Sequence, residues 1–153
     1  MIPTRIFSGK SFEAGKPLER SLGTHIVLEL YDCDFSLLEK EGALEEILME
    51  AADQAGLSVL SVHSHKFEPY GLTSLALIAE SHLCVHTWPE FRFVAADVFV
   101  CSQGAWKAAR VLMDRLSPGH VEVLEISRGA SIAHKARAWG KDTRRVSVAR
   151  RPE

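Results

Sequence analysis

The chain has 153 residues, 46% hydrophobic and 25% charged, with a formal net charge of −2; that is one domain with material for one core, and it carries no charge excess that would point to a nucleic-acid or membrane partner. Its three cysteines, Cys33, Cys84 and Cys101, are odd in number, widely spaced and lack a CxxC pair, which argues against a disulfide framework and suits a reducing compartment. No apolar run has the length of a signal peptide or a membrane span, so the expected location is cytoplasmic.

Residues 1–21 mix Gly, Pro, Ser and charge without a period and are expected to form a flexible extension or an irregular edge segment. His25 to Tyr31 alternates and predicts a first strand, followed by the turn and cap residues Asp32-Cys33-Asp34. From Phe35 to Ala55 the apolar positions Leu44, Ile47, Leu48, Ala51, Ala52 and Ala55 recur at steps of three and four, opposite Glu45, Glu46, Glu50 and Asp53. This spacing predicts one amphipathic helix stopped by Gly56. Leu57 to Phe67 alternates as a strand, closed by the turn residues Glu68-Pro69-Tyr70-Gly71.

Leu72 to Ala79, Leu83 to Thr87 and Phe93 to Cys101 are three further short apolar runs with no helix-length spacer between them, so they must pair mainly antiparallel. Ala105 to Leu116 has helical spacing and stops at Ser117-Pro118-Gly119; Val121 to Ile126 alternates as a last strand. The expected fold is an α/β (α+β) two-layer sandwich, a mostly antiparallel sheet with helices on one face. A single domain should occupy residues 22–130. Residues 131–153 form a basic tail, with a short helix expected near 133–139. Seven of the 18 Lys and Arg lie in residues 134–153, leaving an acidic body of 11 basic against 18 acidic residues.

The run from Gly71 to Cys101 inserts a serine, two histidines, two cysteines and a Trp-Pro-Glu turn between apolar strands. A serine hydroxyl can attack the carbonyl of the preceding peptide when the backbone is strained and the oxyanion is stabilised, converting amide to ester. Loss of the serine α-proton then expels the upstream acid, and the resulting dehydroalanine hydrolyses to a pyruvoyl group and ammonia. Applied to Ser81, such a step would cut the Glu80–Ser81 bond.

This run resembles the self-processing, pyruvoyl-dependent S-adenosylmethionine decarboxylases in their short bacterial and archaeal form. PYG, AESHL, HTWPE, AADVF and a final Cys follow in the order and spacing of that family between Phe67 and Cys101, and the likeness extends to GTHIVLELYDCD at 23–34 and ISRG at 126–129. The resemblance implies that Ser81 becomes a covalent pyruvoyl cofactor that forms a Schiff base with the substrate amine, the electron-sink role that pyridoxal phosphate fills elsewhere. It implies that His86 acts as acid/base in processing with support from Thr73, where the family commonly has serine. It further implies that Cys101 donates a proton during decarboxylation, Phe67 stacks on adenine and Glu90 accepts hydrogen bonds from ribose. The implied product is the aminopropyl donor for spermidine synthesis, made by a homodimer of processed protomers with its sites at the interface.

Several residues also have plainer readings. His82 and His86 share a strand face with Cys84 between them, but a fourth ligand is lacking and no metal is expected. Cys84 reads as core filler, His63 and His65 as structural or solvated, and Trp88 as a core aromatic. Glu68, Arg92 and Ser102 depart from the family pattern. An added acid beside the pocket would suit a cationic side chain, so L-ornithine or L-arginine is the alternative substrate. A non-processing binding module and a His/Cys metal-binding protein are the remaining alternatives.

Overall fold

The computed structural model describes residues 4–9 and 21–130. Its elements in chain order are β1 (Thr4–Gly9), β2 (Gly23–Tyr31), α1 (Phe35–Leu38), α2 (Glu41–Gln54), β3 (Val59–Lys66), β4 (Leu72–Ile78), β5 (Ser81–Trp88), a 3₁₀ turn (Pro89–Phe91), β6 (Phe93–Val100), α3 (Ala105–Leu116) and β7 (His120–Arg128). The seven strands form one sheet in the order β1-β7-β2-β6-β5-β4-β3, and every neighbouring pair is antiparallel. Helices α2 and α3 pack together on one face, as the α+β sandwich expected from the sequence requires.

Strand alternation sorts the residues. Ile26, Leu28 and Leu30 of β2, Leu83 and Val85 of β5, and Val94, Ala96 and Val98 of β6 turn to the helices and are fully or almost fully buried. They meet Leu44, Ile47 and Leu48 of α2 and Leu112 and Leu116 of α3 in one core. The intervening residues, His25, Asp97, His82, Cys84 and His86 among them, stand on the opposite, uncovered face.

Two expectations change. Thr4–Gly9 is a regular edge strand paired with β7 over its whole length, rather than a flexible or irregular segment. Main-chain bonds to β7 define it, and Phe7 anchors it edge-on to Trp106 of α3, with ring centroids 5.5 Å apart. The single helix expected from Phe35 to Ala55 is two, broken at Glu39 and Lys40. The Leu38 carbonyl, which would carry the first helix onward, accepts the Thr87 hydroxyl at 3.0 Å instead. The helix expected near 133–139 and the rest of the basic tail lie outside the described residues. Among those described, no helix is long and apolar enough to cross a membrane.

Candidate active site

The β4–β5 connection is a two-residue hairpin, Ala79-Glu80, between the paired residues Ile78 and Ser81. Such tight turns favour residues with positive φ, yet the positive φ here falls just after the loop, on Ser81 at 140°. A non-glycine residue held there stores about 1–3 kcal/mol of strain. The hairpin tip is pinned on both sides. Ser58 donates its N–H to the Glu80 carboxylate at 3.1 Å, and Ala79 donates its own to the Ser58 carbonyl at 2.8 Å. The Glu80 carbonyl, the one adjoining Ser81, accepts the main-chain N–H of Cys101 at 2.9 Å. A strained serine follows a carbonyl already held by a fixed donor, the arrangement that an N-to-O acyl shift needs.

Cys101 lies one residue past β6, whose last residue, Val100, pairs with Ser81. Its thiol is half-buried, and burial pushes its pKa up, so the sulfur keeps its proton at neutral pH. His82, next to Ser81, points to the uncovered face with its ring edge-on to Phe99, centroids 5.9 Å apart. Desolvation lowers its pKa. Asp97 accepts from His25 Nε2 at 2.9 Å, and that bond holds its carboxyl below the ordinary range.

The other expected residues gather at the far end of the same strands. Thr73 and His86 are cross-strand partners, with Oγ1 2.8 Å from Nδ1. They line a cavity of about 460 Å³ together with Phe67, Glu68, Trp88 and Glu90. Phe67 and Trp88 are 47% and 41% exposed, so Trp88 is a wall of this cavity and not the core aromatic expected. The Phe67 ring stands edge-on to His65 at 4.7 Å, which gives His65 a packing role. Gly71 closes the loop at φ 104°, where a Cβ would lie 2.9 Å from the Thr87 carbonyl; only glycine fits. Its N–H is held by Glu39 Oε1 at 2.9 Å, and the Leu72 N–H by Thr87 Oγ1 at 2.8 Å. The break between α1 and α2 is therefore the hook from which the cavity's rim hangs.

The expected residues thus form two groups. Glu80, Ser81 and Cys101 are together, and so are Phe67, Thr73, His86 and Glu90. Five residues of extended strand, about 16 Å, separate Ser81 from His86 within β5.

Of the three departures in sequence, only Glu68 lines the cavity. Arg92 donates from Nε to the Cys33 carbonyl at 2.8 Å, and Ser102 faces a separate cavity beside α3. Among the described residues no three His, Cys, Asp or Glu side chains converge as metal ligands. Sequence reasoning missed the Cys101 N–H and Glu39, for which no signal exists in residue types. It also undervalued Cys84, whose two-residue spacing from His86 was the available signal.

The family model for S-adenosylmethionine decarboxylase matches residues 24–129. The chain belongs to the S-adenosylmethionine decarboxylase family. Its members include a curated S-adenosylmethionine decarboxylase proenzyme of Acetivibrio thermocellus, 40% identical over 111 residues that cover 71% of this chain and 90% of the relative. The proenzyme of Moorella thermoacetica is 41% identical over 112 residues, covering 72% and 90%. Among solved structures of the family, the adenosylmethionine decarboxylase of Aquifex aeolicus superposes with a TM-score of 0.69 at 32% identity, covering 72% of this chain and 92% of that one.

Proposed function

We propose that the chain is a proenzyme that cuts itself between Glu80 and Ser81 and then decarboxylates S-adenosylmethionine, supplying the aminopropyl donor for spermidine synthesis. The observation that carries this reading is the strained Ser81 following a carbonyl that accepts the Cys101 N–H. Ser81 Oγ attacks the Glu80 carbonyl carbon, and the Cys101 N–H stabilises the oxyanion. Collapse breaks the C–N bond and leaves the Glu80 acyl group on Oγ. His86 takes the Ser81 α-proton, the Glu80 carboxylate departs, and water converts the remaining dehydroalanine to a pyruvoyl group with release of ammonia. That group supplies the electron sink for decarboxylation by condensing with the substrate's α-amine. The protonated Cys101 thiol stands beside it to return a proton to carbon, while Phe67 and Trp88 offer aromatic faces to the adenine and the sulfonium, and Glu90 accepts from the ribose hydroxyls.

An imidazole about 16 Å along the strand cannot serve Ser81 of its own chain. The working unit is a homodimer, two uncovered sheet faces packed about a two-fold so that the Ser81 end of one protomer meets the His86 end of the other. The half-exposed Leu75 and Leu77 on that face favour such a cover.

Denaturing mass spectrometry of the purified protein should find residues 1–80 and a second chain beginning with pyruvoyl at position 81. Carbon dioxide release should be fastest with S-adenosylmethionine. Faster release from L-ornithine or L-arginine, with Glu68 receiving the distal cation, would overturn the substrate assignment. An intact chain after long incubation would overturn the processing.

A further inference from the structure

Cys84 has no part in the mechanism above, yet it touches the residue on which that mechanism turns. It stands two residues before His86 on the same face of β5, with Sγ 3.3 Å from His86 Nε2. Thr73 Oγ1 reaches the other ring nitrogen at 2.8 Å, so the imidazole is gripped at both ends. Each grip can run in two senses, because a hydroxyl both donates and accepts, whereas a thiol donates weakly and accepts weakly. Cys84 is 8% exposed. Burial, with Asp97 directly across on β6, pushes its thiol up to about 11, so the sulfur carries its proton at neutral pH. The arrangement that uses this proton is S–H donating to Nε2 and Nδ1–H donating to Thr73.

We propose that Cys84 is a positioning residue for self-cleavage: its thiol hydrogen bond holds His86 in the tautomer whose Nε2 is unprotonated, the nitrogen that takes the Ser81 α-proton. This rests on the proenzyme reading above. Cys84 forms no covalent bond in the reaction. A thiol suits the place because its hydrogen bond fixes the ring orientation but yields readily when Nε2 must turn to its work.

The test has two arms. In the Ser81→Ala chain, which stays uncut, ¹⁵N spectra of the His86 ring, identified by its loss in His86→Asn, should show Nδ1 protonated and Nε2 bare. Adding Cys84→Val, which keeps volume without a donor, should give a mixture of tautomers. In chains with Ser81 intact, followed by mass spectrometry after cell-free synthesis, Cys84→Val should lengthen the cleavage half-life about five- to tenfold, the worth of one hydrogen bond. Cys84→Ser, which restores a donor, should cleave within about twofold of the parent. A Cys84→Val chain that cleaves at the parental rate with an unchanged ring spectrum would overturn the inference and leave the proenzyme reading intact. A parent chain that never cleaves would overturn that reading instead.

Discussion

In the proposed mechanism Cys101 does two jobs with two different atoms. Its main-chain N–H holds the Glu80 carbonyl, and its half-buried, protonated thiol is the group proposed to return the proton after cleavage. Substitution separates them. Cys101→Ser keeps the N–H and should cleave within about threefold of the parent rate, while turnover of the cleaved enzyme falls about 100-fold or more, the usual worth of a positioned general acid. Single-turnover kinetics against cleavage half-life checks this, and equal loss of both would show that the thiol acts in cleavage. The residue types of this chemistry were legible: Ser81 after Glu80, His86 five residues on, and Cys101 beyond an apolar run. The φ of Ser81 and the amide on the Glu80 carbonyl were not, because backbone strain and main-chain donors leave no mark in residue identity.

At the level of elements, the interruption between α1 and α2 is tied to the cavity. The apolar steps of three and four begin at Leu44, and the run Glu39-Lys40-Glu41-Gly42 interrupts the pattern after Leu38, a local mark of weakness that the single-helix expectation passed over. At that point Glu39 is taken by Gly71, in the loop before β4, and the Leu38 carbonyl by Thr87 of β5. Glu39→Ala should leave the Gly71 N–H unpartnered at a cost of about 1.5–3 kcal/mol. Since the loop lines the cavity and not the hairpin, KM for the substrate should rise several-fold with kcat and cleavage rate nearly unchanged. A drop in kcat alone would place Glu39 in the chemistry. Lys66 Nζ, 3.7 Å from the same carboxylate, makes Glu39→Asp a partial rescue.

For the whole molecule, the separation of the two residue groups predicts complementation. Ser81→Ala and His86→Asn chains, each inactive alone, should cleave when co-expressed, because in the proposed homodimer a mixed pair holds one site with both an intact Ser81 and an intact His86. Only the His86→Asn chain should be cut. Cleavage confined to chains that carry both residues would refute the shared site. The uncovered face also fixes a pH response. His82 has a lowered folded pKa, so below the unfolded value of about 6.5 the unfolded chain binds a proton that the folded one refuses. Stability falls as pH drops from there. Asp97, also lowered, stabilises the fold above the ordinary carboxyl value of about 3.9, and this is lost as pH falls through its folded value. Urea midpoints of the Ser81→Ala chain should therefore decline from pH 7 to 5, and His82→Phe should flatten that decline.

Sequence alone determined the elements whose signal is local. The α3 boundaries, the central strands and the helix-on-sheet class follow from periods of 3.6 and 2 and from turn residues, and the motif over Phe67 to Cys101 carried the family. Tertiary structure decided what depends on contacts between distant segments. It made Thr4–Gly9 a strand, because β7 supplies the partners that its own composition does not require. It divided the expected helix at Glu39 and Lys40, put Trp88 on the wall of the cavity, and set the proposed catalytic residues at two ends of one strand. Within the run Glu80 to Glu90, which reads as one site, Ser81 to Trp88 is extended backbone, and at about 3.3 Å per residue it carries its serine and its histidine too far apart to meet within one chain.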